Sequence, residues 1–192
     1  MITDRRAFIV ENTRLQAPPH APELKLHLAD EITPIWRLTE EALEEIGLAP
    51  PFWAFAWAGG QALARYLLDH PETVAGRRVI DFAAGSGIVA IAAMKAGAAQ
   101  ALAADIDAFC GPAVALNAEA NGVAVSFTDA DLLDAPAPAV DVILAGDICY
   151  EKPLAARVMA WLTAARAAGT RVLIGDPGRT FFPRQGLIKL AE

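Results

Sequence analysis

The sequence predicts one α/β domain, a doubly wound parallel sheet held between two layers of helices. Three observations carry this. A β-branched run at 79–82 passes through a turn holding Gly85 and Gly87 into an alanine-rich segment that reads as a helix. Four more strand-like segments follow at 101–105, 123–127, 140–147 and 171–176. Segments of helix-forming composition separate them at 108–120 and 154–168, with Gly122 and Gly169 placed as C-terminal caps. Strands that alternate with helices in this way build right-handed βαβ crossovers and therefore a parallel sheet. The 192 residues suit a single domain over 1–192, long enough to bury roughly 70% of the unfolded surface. Within it, residues 1–75 read as a helical and aromatic segment packing on the ligand site and residues 76–192 as the core.

In chain order, the opening MITDRRAFIVENTRL carries Asp4 and Glu11 and has no sustained apolar run. It does not read as a secretory leader, and a cytoplasmic protein is expected. Thr39, followed by Glu40 and Glu41, reads as the N-cap of a short helix that Gly47 closes. Next comes PFWAFAWAGGQALARYLLDHP, where Phe52, Trp53, Phe55 and Trp57 precede Gly59 and Gly60 and a helix from about 61 to 69. Aromatics at this spacing serve core packing as readily as ligand binding, and the glycine pair suggests a backbone that must approach something flat.

Composition removes several classes of function. Hydrophobic residues make up 55% of the chain and charged residues 20%, yet no apolar run reaches the roughly 18 residues of a membrane helix. Cys110 and Cys149 stand in no CxxC pattern, and His20, His27 and His70 are scattered, so neither a disulfide framework nor a metal site is expected. Sixteen basic against twenty-three acidic residues give a net charge of −7, which disfavours a nucleic-acid partner.

The glycine turn is the candidate binding element. A strand that feeds a helix through glycines presents free backbone N–H groups and the positive end of the helix dipole to a polar or anionic ligand. By its letters, Gly85, Gly87 and Ala90 satisfy the Rossmann-like GxGxxA fingerprint. Asp105, eighteen residues beyond Gly87, stands where a carboxylate can accept both hydroxyls of a ribose. NAD and S-adenosylmethionine both contain that ribose. The turn separates them: in the dinucleotide fold the first glycine comes directly off the strand, whereas here Asp81 ends the strand and Phe82, Ala83 and Ala84 intervene.

The stretch DFAAGSG resembles the DxGxGxG motif of class I, seven-stranded S-adenosylmethionine methyltransferases, with Ala83 at the first glycine. Alanine fits there if that residue keeps a negative φ. ADID after the second core strand, ALNAEANGV with Asn117 and Asn121, and DADLLD after the third resemble the same superfamily. PFWAFAWAGGQALARYL upstream and GDICYEKP after the fourth strand, a DxxY formed by Asp147 and Tyr150, resemble the family 16 protein methyltransferases. GDPGRTFFPRQGL at 175–187 is similar to one branch of that family, the lysine methyltransferases of the electron transfer flavoprotein β subunit.

The resemblance implies a three-layer Rossmann-like sheet of strand order 3-2-1-4-5, with S-adenosylmethionine across the carboxyl ends of strands one, two and four. It implies that Asp105 binds the ribose, with Asp107 as the alternative, and that Asp131 or a neighbouring backbone group meets the adenine amine, with Asp129 competing for that role. Gly85 and Gly87, with Asp81 beside them, would take the methionine end, and Trp57 and Gly59 would wall the other side. Asp147 would orient the acceptor amine and Tyr150 present its ring to the developing ammonium, although Asp147 could instead cap the helix at EKPLAARV and Tyr150 could serve packing. Cys149, with nothing to activate it, reads as a bystander. The expected protein is a monomer acting on a protein substrate. Rival readings are another methyl acceptor, either a ribosomal protein or a small amine such as nicotinamide, an NAD-dependent oxidoreductase, or a cofactor-binding fold kept for interaction. A nucleic-acid base is disfavoured because Ile148 and Cys149 stand where base-methylating enzymes carry two prolines. The final antiparallel hairpin of the seven-stranded fold has no counterpart after QGLIKLAE. A missing C-terminal segment is expected in preference to a shortened sheet with an exposed edge.

Overall fold

The computed structural model describes residues 2–33, 35, 45 and 49–192. Its centre is a five-stranded, all-parallel sheet made of β3 (Arg78–Phe82), β4 (Gln100–Ala104), β5 (Ser126–Thr128), β6 (Val142–Gly146) and β7 (Arg171–Gly175). The spatial order is β5-β4-β3-β6-β7, which is the expected 3-2-1-4-5 with the core strands counted from β3. Two short strands precede them, β1 (Arg14–Gln16) and β2 (Leu26–Leu28), paired as an antiparallel hairpin.

Both faces of the sheet are apolar because both are covered. Along β3 and β6, Val79, Val142 and Leu144 join one core while Ile80, Ile143 and Ala145 join the other, the period-2 alternation of a strand buried on two sides. The first core receives α2 (Ala58–Asp69) and α3 (Ile88–Lys95), together with the hairpin. Six consecutive residues of α3, Ile88 to Ala93, are buried, as expected of a helix enclosed all round. On the opposite face α5 (Lys152–Ala167) packs Val158, Trp161 and Leu162 against Ile80 and Phe82. A helix α4 (Cys110–Ala120) follows β4, and an N-terminal α1 (Arg5–Asn12), capped by Asp4, rests against it.

Several expected boundaries move. The strand expected at 123–127 is Ser126–Thr128, because the Val123 N–H is spent on the Ala118 carbonyl in closing α4. Gly122 and Gly169 do adopt positive φ, 63° and 102°, as helix-closing glycines. The helix expected from 61 begins at Ala58, so the glycine pair lies inside its first turn. The helix expected between Thr39 and Gly47 falls outside the described residues apart from Glu45. Among the described residues no helix is long and apolar enough to cross a membrane.

The glycine pair has a packing role of its own, because the backbone there approaches the end of the sheet. A Cβ on Gly59 would lie 2.2 Å from the Gly175 carbonyl oxygen, one on Gly175 2.1 Å from the Gly59 oxygen, and one on Gly146 2.9 Å from Gly60. Four glycines thus let the start of α2 sit directly on the ends of β6 and β7. Gly175→Ala should therefore lower stability by about 2–3 kcal/mol through overpacking, read as a fall of roughly 5–10 °C in the melting temperature. An unchanged melting temperature would mean that α2 is free to shift.

Candidate active site

Three strands whose carboxyl ends meet where the sheet order reverses deliver the three central acids: Asp81 from β3, Asp105 beyond β4 and Asp147 beyond β6. Such a reversal point is where open α/β sheets bind ligands. The strand β3 runs one residue past Asp81, to Phe82, and then turns. Ala83, Gly85 and Gly87 all have positive φ, at 56°, 50° and 77°. The negative φ expected of Ala83 is not observed; its left-handed backbone costs about 1 kcal/mol and is held by the turn around it. Gly87 caps α3, and a side chain there would meet Val114 at 2.9 Å.

Within this turn the acids are already bonded to the backbone. Asp81, 1% exposed, accepts the Ala90 N–H at 2.9 Å, which ties the strand to α3. Burial pushes its pKa up to about 7 against that hydrogen bond, and the Asp105 charge adds to the rise. Asp105 accepts the Gly85 N–H at 2.9 Å and the Asp107 N–H at 3.0 Å, so it shapes the turn it faces. Asp107 is raised by burial, against the Phe109 N–H, and further by the Asp105 charge.

A narrow cleft opens beside this turn, lined by Trp57, Gly60, Asp81, Gly85 and Asp147 among others. Its enclosed part measures about 30 Å³, room for one water, so a ligand of nucleoside size must spread along the open mouth or displace the aromatic segment over it. The two tryptophans of that segment lie in different surroundings. Trp53 is fully buried and stacks on Phe109 with centroids 5.6 Å apart. Trp57 is 39% exposed at the mouth, its Nε1–H donating to the Phe52 carbonyl at 2.9 Å. Gly60 lines the cleft while Gly59 packs on Gly175.

Asp147 does not cap α5; Glu151 holds that position. It takes a positive φ of 56° and turns its carboxylate inward. One oxygen, Oδ2, accepts the Gly60 N–H at 2.9 Å, and the other, Oδ1, accepts Arg179 Nη2 at 2.7 Å and Nε at 3.2 Å. Tyr150 is exposed, its ring 6.0 Å from that of Phe52, and partial burial together with the Glu151 and Asp105 charges raises its pKa. Cys149 is buried and its thiol is pushed up by that burial, which leaves it inert. Asp131 lies apart from the cleft lining: it accepts the Leu133 N–H and pairs with Arg157 at 3.2 Å, while Asp129 is exposed beyond β5.

Two residues of the site were not singled out for a role by the sequence. Arg179 belongs to the quoted GDPGR stretch, but nothing in its letters says that it pairs with Asp147. Asn117, fully buried, donates to the Ser86 carbonyl inside the glycine turn at 2.8 Å and accepts the His27 N–H of the hairpin at 2.7 Å. It thereby joins the N-terminal hairpin to the ligand loop.

The family model for ribosomal protein L11 methyltransferase (PrmA) matches residues 61–153. Electron transfer flavoprotein beta subunit lysine methyltransferase of Xenopus laevis is 39% identical over 186 residues, spanning 96% of this chain and 74% of the relative. That of Danio rerio is 41% identical over 197 residues, 98% of this chain and 75% of the relative. The crystal structure of a ribosomal protein L11 methylase from Lactobacillus delbrueckii subsp. bulgaricus is 30% identical and covers 55% of this chain and 53% of its own, with a TM-score of 0.45. Similarity at this level over nearly the whole sequence means that the chain belongs to the electron transfer flavoprotein β-subunit lysine methyltransferase family.

Proposed function

We propose that this protein transfers a methyl group from S-adenosylmethionine to lysine side chains of the electron transfer flavoprotein β subunit. The observation that carries the reading is the near-full-length identity of 39–41% to enzymes named for that reaction. The residues at the reversal of the sheet suit the cofactor. Gly85 and Gly87 leave the turn open to its methionine end, Asp105 keeps acceptor capacity for ribose hydroxyls beyond its two backbone bonds, and Trp57 flanks the mouth. Asp131 is a weaker candidate for the adenine amine, since Arg157 and the Leu133 N–H already engage it.

S-adenosylmethionine supplies a methyl group already activated on a sulfonium, so the protein chiefly positions and desolvates. Asp147 accepts a hydrogen bond from the incoming amine and fixes the direction of its lone pair. Tyr150 offers a ring face to the ammonium that forms. The same reading takes the protein to be a cytoplasmic monomer whose partner is a folded protein and neither nucleic acid nor membrane. With a net charge of −7, attraction to a lysine-bearing surface weakens as salt rises.

The test incubates the enzyme with radiolabelled cofactor and purified β subunit, and separately with a lysate of its own source, and identifies labelled species by mass spectrometry. Label on RNA or a free metabolite, with none on the β subunit, refutes the assignment. Asp105→Asn should weaken S-adenosylhomocysteine binding by about 10- to 100-fold, the worth of charge-assisted hydrogen bonds to the ribose. Calorimetry giving an unchanged affinity would transfer that role to Asp107.

A further inference from the structure

Asp147 cannot activate an acceptor lysine by its charge. A free lysine is neutral in only about one molecule in 2,500 at pH 7, and the neutral amine is the nucleophile. A bare carboxylate beside it makes matters worse, because an opposite charge at contact distance favours the ammonium. The structure removes that difficulty. Asp147 Oδ1 holds the Arg179 guanidinium through Nη2 at 2.7 Å and Nε at 3.2 Å, and Oδ2 takes the Gly60 N–H at the positive end of α2. The Asp147 side chain is 9% exposed and that of Arg179 29%, so the pair is only partly screened by solvent. Arg179 is itself placed by an Asp176 turn, whose Oδ1 accepts both the Gly178 and Arg179 N–H groups.

We propose that Arg179 is a positioning residue of methyl transfer: its guanidinium makes Asp147 half of a neutral pair, so that the acceptor lysine is held as the free amine and not trapped as an ammonium. This rests on the lysine methyltransferase reading above. The remaining lone pair of Asp147, on Oδ2, still accepts an amine N–H, so orientation is kept while the attraction for a full positive charge is cancelled. The amine lone pair then forms the N–C bond as the C–S bond breaks, its electron pair staying on sulfur, and the methylated ammonium gives up its proton to solvent. The other ionisable groups around this point are Asp81 from β3, Asp105 beyond β4, Cys149, Tyr150 and Glu151 between β6 and α5, and Asp176 after β7. From α2, Gly59 and Gly60 approach Asp147. All of these are unchanged when Arg179 alone is varied.

The experiment measures methylation of purified β subunit at saturating cofactor from pH 6 to 10 for wild type, Arg179→Gln, Arg179→Met and Arg179→Lys. Calorimetry with S-adenosylhomocysteine and thermal melting accompany it, and Arg179→Met serves where the Gln variant does not fold. For the neutral variants the acid limb of kcat should move up by about one to two pH units. Their kcat should fall about 10- to 100-fold at pH 7 and recover at the alkaline end, with KM for the β subunit unchanged or lower. Affinity for S-adenosylhomocysteine should stay within threefold, and Arg179→Lys should keep the wild-type limb. A loss of equal size at every pH in a folded variant that binds S-adenosylhomocysteine overturns the proposal and leaves Arg179 a structural residue. So does a limb in Arg179→Lys displaced as far as in Arg179→Gln. Wild-type enzyme that leaves the β subunit unmethylated overturns the functional reading itself, and the proposal with it.

Discussion

Replacing Asp147 by asparagine should cut methyl transfer by roughly 10²–10³-fold while leaving S-adenosylhomocysteine affinity within about threefold. Asparagine matches the size of aspartate and its carbonyl can still accept the Gly60 N–H, so the start of α2 stays in place. What disappears is the carboxylate that faces both Arg179 and the acceptor amine. With no carboxylate left to favour the ammonium, and only the weaker amide carbonyl to direct the amine lone pair, the loss should be the same at every pH, unlike that of the Arg179 variants. Because Arg179 is already 29% exposed it can turn to solvent, and the fold should lose only about 1–2 kcal/mol rather than the larger penalty of a stranded buried charge. Single-turnover assays with labelled cofactor, calorimetry and melting read the three quantities. Turnover at the wild-type rate would remove Asp147 from the reaction, and a parallel loss of S-adenosylhomocysteine binding would assign it to the cofactor.

The core of the fold was legible because its signals are local. Alternating strand and helix segments, closed by glycines such as Gly122 and Gly169, fix a parallel sheet whatever their neighbours. The position of Asp81 before Gly85 likewise singles out the ligand turn. The hairpin of β1 and β2 left no such trace: each strand has three residues, and the contact that ties His27 to the core comes from Asn117, ninety positions away. Long-range contacts also decided the glycines of α2. The letters around Gly59 and Gly60 give no hint that the pair packs against Gly146 and Gly175, on strands that arrive much later. The Arg179 partnership with Asp147 is the same kind of case, since it depends on where two loops end and not on spacing in the chain.

Asp81→Asn should do two opposite things, stabilise the empty enzyme above neutral pH and weaken its hold on S-adenosylmethionine. Burial pushes the wild-type carboxyl up to about 7 in the folded protein, against 3.8 for a solvated aspartate. A folded-state pKa raised in this way contributes stability that is complete below the unfolded value and is lost as pH rises through 7. A rise of that size corresponds to at most about 4 kcal/mol. Asparagine does not titrate, and its carbonyl can still accept the Ala90 N–H. The stability of the variant relative to wild type should therefore grow by about 2–3 kcal/mol between pH 5 and pH 8, seen as a melting-temperature gain that widens by roughly 5–10 °C. Binding should run the other way. A cationic cofactor beside Asp81 favours the ionised carboxylate, so wild-type affinity should fall as pH drops below 7, approaching about tenfold per unit as the proton must be released. The variant should bind more weakly and with little dependence on pH. Parallel pH dependences of melting in the two proteins would show that Asp81 is not held near neutrality, whereas unchanged affinity would show that its charge is not used by the cofactor. If both effects appear, the buried acid is a site kept under electrostatic strain that a positive ligand relieves, which couples loading of the enzyme to the loss of one proton.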